Sequence, residues 1–177
     1  MEKLLIACLI LGFVPFFLAA QYDPKRYEKV EKTIAIFKEK NPKFETYFKE
    51  AYGYGVFPSV GKGASIIGGA HGTGIAIEQG NPIGKAKITQ ITLGLQFGGQ
   101  AYRQVIFFET KEDLQRFKEN KFEFAAQASA VAITAGAGAN LAYQDGVAVF
   151  TINKAGFMYE ASLGGQKLKF KPYKEAN

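Results

Sequence analysis

The chain has 177 residues, a net charge of +6, one cysteine, one histidine and no tryptophan. That length suits a single domain, and so few Cys and His exclude a zinc site built from those ligands. The moderate positive charge favours anionic partners such as phospholipid head groups, but it lacks the concentrated Lys/Arg stripe of a nucleic-acid binder.

Met1-Glu2-Lys3 is a short polar start, Leu4 to Phe17 is apolar, and Leu18-Ala19-Ala20 is a small-residue exit before Gln21. This pattern predicts a secretory signal peptide over residues 1–20, cleaved after Ala20, and an exported domain over 21–177, periplasmic or secreted. The apolar run falls short of the about 20 residues that a transmembrane helix needs, and an uncleaved anchor is the alternative. Cys8 lies mid-signal, so the mature chain builds its core without disulfides.

Asp23-Pro24 opens a helix, with Asp as N-cap and Pro in its first turn. Tyr27, Val30, Ile34 and Phe37 recur at three- and four-residue steps and form its inward stripe. Asn41-Pro42 repeats the start signal for a second helix, with Phe44, Tyr47, Phe48 and Ala51 inward. Residues 52–74 then carry eight glycines. That density marks either bulged strands and tight turns or an anion-cradling loop. The loop reading fails on spacing. Five residues separate Gly55 from Gly61, Gly63 follows Lys62 where a P-loop needs Ser or Thr, and Ile77 stands where a dinucleotide fingerprint needs its third glycine. No cofactor is expected.

From Val56 onward the period becomes two. Strands are expected over Ser65–Glu78, Lys85–Phe97 and Ala101–Glu109, with turns at Gln79–Pro82 and at Gly98-Gly99. Thr110 and Asp113 form a capping box for a short helix over Thr110–Glu119. The small-residue run Ala125–Ala139 reads as a strand whose side chains admit a close neighbour. Asp145-Gly146 predicts a hairpin between Leu141–Gln144 and Val147–Asn153. Turns at Lys154–Gly156 and Gly164-Gly165 divide the remainder into Phe157–Leu163 and Gln166–Lys171. The expected fold is α+β: an antiparallel β-barrel or sandwich of about seven to nine strands, with N-terminal helices and one short internal helix.

Catalytic signatures are scarce. A Ser-His-acid triad would have to use His71, the sole histidine, and no Gly-x-Ser-x-Gly elbow exists. The acidic residues are scattered, so an enzyme would need a carboxylate pair brought together only in space. The cations are more informative. Lys167, Lys169 and Lys171 alternate with Leu168 and Phe170, so a strand places the three ammonium groups on one face. Lys62, Lys85 and Lys87 join that row if the fold brings them near. Such a row either deters edge-to-edge aggregation or meets an anionic surface, where each Lys is worth about 1 kcal/mol.

Several ordered motifs resemble the SYLF domain family. They are Ala51-Tyr-Gly-Tyr-Gly-Val-Phe-Pro-Ser-Val-Gly-Lys-Gly63, Leu93-Gly-Leu-Gln-Phe-Gly-Gly-Gln-Ala-Tyr102, Phe117-Lys118 with Phe122-Glu-Phe124, Ala128-Ser-Ala-Val-Ala132, Asp145-Gly-Val-Ala-Val-Phe150 and Leu163-Gly-Gly-Gln166. The resemblance spans about residues 24–172. It implies binding of anionic phospholipid or phosphoinositide head groups without catalysis, with membrane contact from an amphipathic helix, here residues 24–39. The expected lipid contacts are Lys62, Lys167, Lys169 and Lys171, assisted by Lys25, Arg26, Lys29 and Lys32. The expected leader suits an exported bacterial member, peripheral to an envelope membrane. Some eukaryotic members also bind actin filaments. The other functional class is a scaffold that holds a protein partner through exposed Tyr22, Tyr27, Tyr52 and Tyr54.

Overall fold

The computed structural model describes residues 23–64, 67–121, 123–125, 130–132, 143 and 145–173. The expected signal peptide, Tyr22 and most of the small-residue run lie outside that set. Helix α1 spans Pro24–Lys40, and the Asp23 side chain accepts a hydrogen bond from the Lys25 amide. Thr33 is buried on its inward face and donates its hydroxyl to the Lys29 carbonyl at 2.8 Å, so its burial leaves no orphan donor. Helix α2 spans Lys43–Glu50, and the Asn41 side chain accepts from the Lys43 amide. Lys38 and Glu45, 3.1 Å apart, tie the two helices together.

Six strands form one sheet: β1 Gly53–Ala64, β2 Ile67–Glu78, β3 Asn81–Phe108, β4 Glu123–Ala125, β5 Ala130–Ala132 and β6 Val147–Pro172. Their order is β1-β2-β3-β6-β4, and β5 pairs with β6 in parallel while every other pair is antiparallel. The turn at Gln79-Gly80 has positive φ at both residues, as a two-residue hairpin requires. The first half of β3 pairs with β2, and its second half pairs with β1. The sheet therefore curls on itself without closing into a barrel, and among the described residues it has six strands against the seven to nine expected.

The diglycine turns account for that difference. Gly98-Gly99 lies inside β3, while Lys154–Gly156 and Gly164-Gly165 lie inside β6. Gly98 and Gly99 stand opposite Met158 and Phe157, and Gly164 and Gly165 stand opposite Thr92 and Ile91. Glycine here lets two very long strands bend together without breaking their ladder. The Asp145-Gly146 turn is present, with both φ values positive. The strand expected before it, Leu141–Gln144, lies outside the described residues except for Tyr143.

Each face of the sheet carries a core. On one face α1 and α2 cover Tyr54, Val56, Ile75, Ile77, Val105, Phe107 and Phe150. Phe44 is the hub, its ring centroid 5.2 Å from Phe37, 5.0 Å from Phe150 and 6.3 Å from Phe107. On the other face helix α3, Lys111–Lys118, lays Leu114 and Phe117 on Ile106, Phe108, Val149 and Leu168. A bulge between Val56 and Val60 lets β1 serve both faces, with Pro58 placed where no ladder donor is needed. Gly74 makes room for that bulge: a Cβ there would lie 2.0 Å from the Val56 carbonyl oxygen.

The second face also buries three amides. Gln104 Nε2 donates to Gln166 Oε1 at 2.8 Å, and Gln166 Nε2 donates toward Gln90 Oε1 at 3.4 Å. Gln90 and Gln104 belong to the two halves of β3, so the bridge through Gln166 pins the bend.

Helix α3 is fixed at both ends. The expected capping box forms, with the Thr110 amide and hydroxyl donating to Asp113 Oδ2 at 3.1 and 2.6 Å. Arg116 Nη2 donates to Asp113 Oδ1 and to the Asp145 carbonyl, each at 2.7 Å, docking the helix on the Asp145-Gly146 turn. Beyond the helix, Asn120 Oδ1 accepts from the Phe170 amide at 2.7 Å and holds β6.

Candidate functional site

Where β2, β3 and β6 run side by side, the helix-covered face emerges from under α1. Its register is set by alternation. Ala86, Ile88 and Leu168 point into the second core, so Lys85, Lys87, Lys167 and Lys169 point the other way. Lys171 follows the same alternation and is likewise exposed. The β3–β6 ladder then places Lys85 opposite Lys171, Lys87 opposite Lys169 and Thr89 opposite Lys167. On the other side of β3, Thr73 stands opposite Lys87 and His71 opposite Thr89.

These residues line a groove of about 660 Å³ that runs across the strands from Arg26 on α1 to Asn120 at the far side of β6. Its polar lining is Arg26, His71, Thr73, Lys85, Lys87, Asn120, Lys169 and Lys171, with no carboxylate among them. Directly opposed like charges weaken a sheet. Cross-strand neighbours have Cβ atoms about 5 Å apart, and two exposed ammonium groups brought that close would repel by roughly 1 kcal/mol in water. The fold holds two such lysine pairs side by side and adds Arg26 from above. Ion pairs at Lys32–Glu28, Lys38–Glu45, Arg116–Asp113, Lys118–Glu78 and Lys121–Glu119 lie outside the groove. Protection of a sheet edge could serve Lys169 and Lys171, where β6 runs on past β4, but it does not explain Lys85 and Lys87, because β3 is flanked by β2 along one side and β6 along the other.

The expected contacts separate into groups. Lys169, Lys171 and Arg26 line the groove. Lys167 lies one step further along β6, exposed, with its backbone paired to Glu123 of β4. Lys25 and Lys29 are exposed on α1 outside the lining, and Lys32 is engaged by Glu28. Lys62 lies on β1 in register with Ala70, and its side chain falls outside what the structure describes. His71, Thr73 and Asn120 were not foreseen. The motif Lys85-x-Lys87-x-Thr89 mirrors Lys167-x-Lys169-x-Lys171, and that echo was the available signal.

Of the tyrosines of the scaffold reading, Tyr22 lies outside the described residues, and Tyr27, Tyr52 and Tyr54 are packed rather than presented. Tyr54 is buried, 5.1 Å from the Phe48 ring centroid and 5.9 Å from that of Phe107. Tyr27 and Tyr52 are half-buried against the two cores. Among the described residues no cluster of His, Cys, Asp and Glu could hold a metal ion, and no helix is long and apolar enough to cross a membrane.

Comparison with known proteins takes in part of this region: of the groove's polar lining, Asn120, Lys169 and Lys171 fall within the family match. A family model described as Las17-binding protein actin regulator matches residues 89–177, which take in most of β3, all of α3 and all of β6. The curated protein Beta cell expansion factor A of Aeromonas veronii is 31% identical over 137 residues, covering 76% of this chain and 51% of that protein. The chain thus spans about half the length of that relative. No solved structure matches the chain.

Proposed function

The chain belongs to the SYLF family of Las17-binding actin regulators, and from that premise we propose that its groove binds the anionic head groups of a phospholipid surface, without catalysis. The observation that carries this reading is the lining itself: five permanent cations, two backbone-opposed lysine pairs and no carboxylate. A surface that holds such charges together against their repulsion is pre-organised for an anion, which removes the repulsion on binding. At about 1 kcal/mol per cation near an anionic membrane, five cations give firm but salt-sensitive peripheral attachment. Lys167 extends the row, and Lys25 and Lys29 approach from α1. Phosphoinositides are one such head group. In this account residues 1–20 export the chain, and residues 21–177 act at the envelope membrane as one binding domain.

The test is vesicle cosedimentation. The chain should pellet with phosphatidylglycerol-containing vesicles, release as salt rises, and ignore pure phosphatidylcholine. Charge reversal at Lys85, Lys87, Lys169 and Lys171 together should abolish pelleting. Equal binding to neutral vesicles, or an unchanged quadruple variant, overturns the reading. The family description supports a second reading, a protein partner on the same basic surface. Salt-insensitive capture of an actin-type partner with no vesicle binding would favour it.

A further inference from the structure

The groove's cations are arranged in a pattern, which says more than their number. Lys85 with Lys171 and Lys87 with Lys169 form two opposed pairs on successive same-face positions of β3 and β6. Within a pair the Cβ atoms are about 5 Å apart, and successive same-face positions on a strand are about 6.6 Å apart. Two ammonium groups facing each other across a ladder can grip one phosphate between them. The second pair then offers an equivalent grip one strand repeat away.

We propose that the groove is a two-phosphate site: it takes two phosphate groups joined by a short carbon linker, one in each cross-strand lysine pair. This rests on the head-group reading above and narrows its ligand to a bisphosphate. Arg26 from α1 closes the groove over one end, and Thr73, opposite Lys87, offers a hydroxyl to the same ligand. Asn120 bounds the other end. Its Oδ1 is held by the Phe170 amide, which directs its Nδ2 donor away from that bond. Pyrophosphate, whose two phosphorus atoms share one oxygen, is too short to occupy both pairs. Two phosphates on a three-carbon bridge match the strand repeat. A lipid with two phosphates on one glycerol and a small soluble bisphosphate share that chemistry.

Two arms test the proposal and separate the sources. In the first, vesicles of phosphatidylcholine carry either cardiolipin or phosphatidylglycerol at equal total phosphate charge. Binding to cardiolipin should be at least tenfold tighter. The variant Lys87→Gln with Lys169→Gln, which keeps one pair and is checked for an unchanged thermal midpoint, should lose that preference while retaining weaker binding to both vesicles. In the second arm, propane-1,3-diyl bisphosphate, pyrophosphate and inorganic phosphate are titrated calorimetrically. Tighter binding of the bisphosphate than of pyrophosphate supports the site and admits a soluble ligand. Cardiolipin preference without any soluble binding supports the site and assigns it to lipid. Equal affinity for the two vesicles at matched charge overturns the two-phosphate site and leaves head-group binding standing. No binding to either vesicle overturns the head-group reading as well.

Discussion

Replacing Lys87 with Glu should move stability and binding in opposite directions. In the native protein Lys87 faces Lys169 across the β3–β6 ladder, and both are exposed. Their Cβ atoms are about 5 Å apart; unit charges that can approach to that separation in water interact by up to roughly 0.8 kcal/mol, so converting repulsion into attraction changes the fold by roughly 1 kcal/mol after salt screening. For a chain of 177 residues that is a rise of about 2–4 °C in Tm. Binding loses one attracting ammonium, gains a repelling carboxylate and has Lys169 partly neutralised. At about 1 kcal/mol for each change, affinity for anionic vesicles falls by about 30- to 150-fold. Differential scanning calorimetry and vesicle cosedimentation read the two quantities on one preparation. A variant that is destabilised, or that binds anionic vesicles as tightly as the native chain, refutes the claim that the lysines are held together for a ligand.

Three further outcomes follow from the packing. Phe44→Ala removes the ring at the centre of the α2 core and should cost about 3–5 kcal/mol in urea unfolding, because Phe37, Phe107 and Phe150 cannot all close the void. Gly146→Ala combines a φ of +77° with a Cβ placed 2.2 Å from the Asp113 carboxylate, and should lower the urea midpoint more than alanine at exposed Gly80, where φ is +81° but no atom lies within 4 Å. Burial alone would raise the Asp113 carboxyl, but the Thr110 hydroxyl and amide and the Arg116 guanidinium outweigh it and hold the group below its ordinary range. A depressed folded value gives stability that is complete above the unfolded pKa of about 4 and is lost as pH falls through the folded one. Asp113→Asn should therefore be less stable than the native chain at pH 7, and the gap should narrow below pH 4.

The local signals in the sequence were legible. Asp23, Asn41 and the Thr110–Asp113 box mark the three helix starts, and the stripes Val30–Phe37 and Leu114–Phe117 name the inward faces. The long strands were not legible, because Gly98-Gly99 and Gly164-Gly165 carry the same residues as a turn. Only the pairing of β3 with β6 reveals that glycine there serves bending. The same limit governed the site. The Lys167–Lys171 alternation showed one half of the groove, but its partner lies some eighty residues away in register with it, and no local pattern encodes a register between distant strands. Gln90, Gln104 and Gln166 were invisible for the same reason, since a polar residue in a strand reads as solvent-facing until its partners are known.

The measurement that bears most directly on this account is paramagnetic broadening of backbone amide resonances by spin-labelled phosphatidylglycerol vesicles. Broadening should peak at Lys85–Lys87, Lys169–Lys171 and Arg26, fade at high salt and be absent with neutral vesicles. A maximum at α2 or α3, with the lysine-bearing strands unaffected, would contradict it.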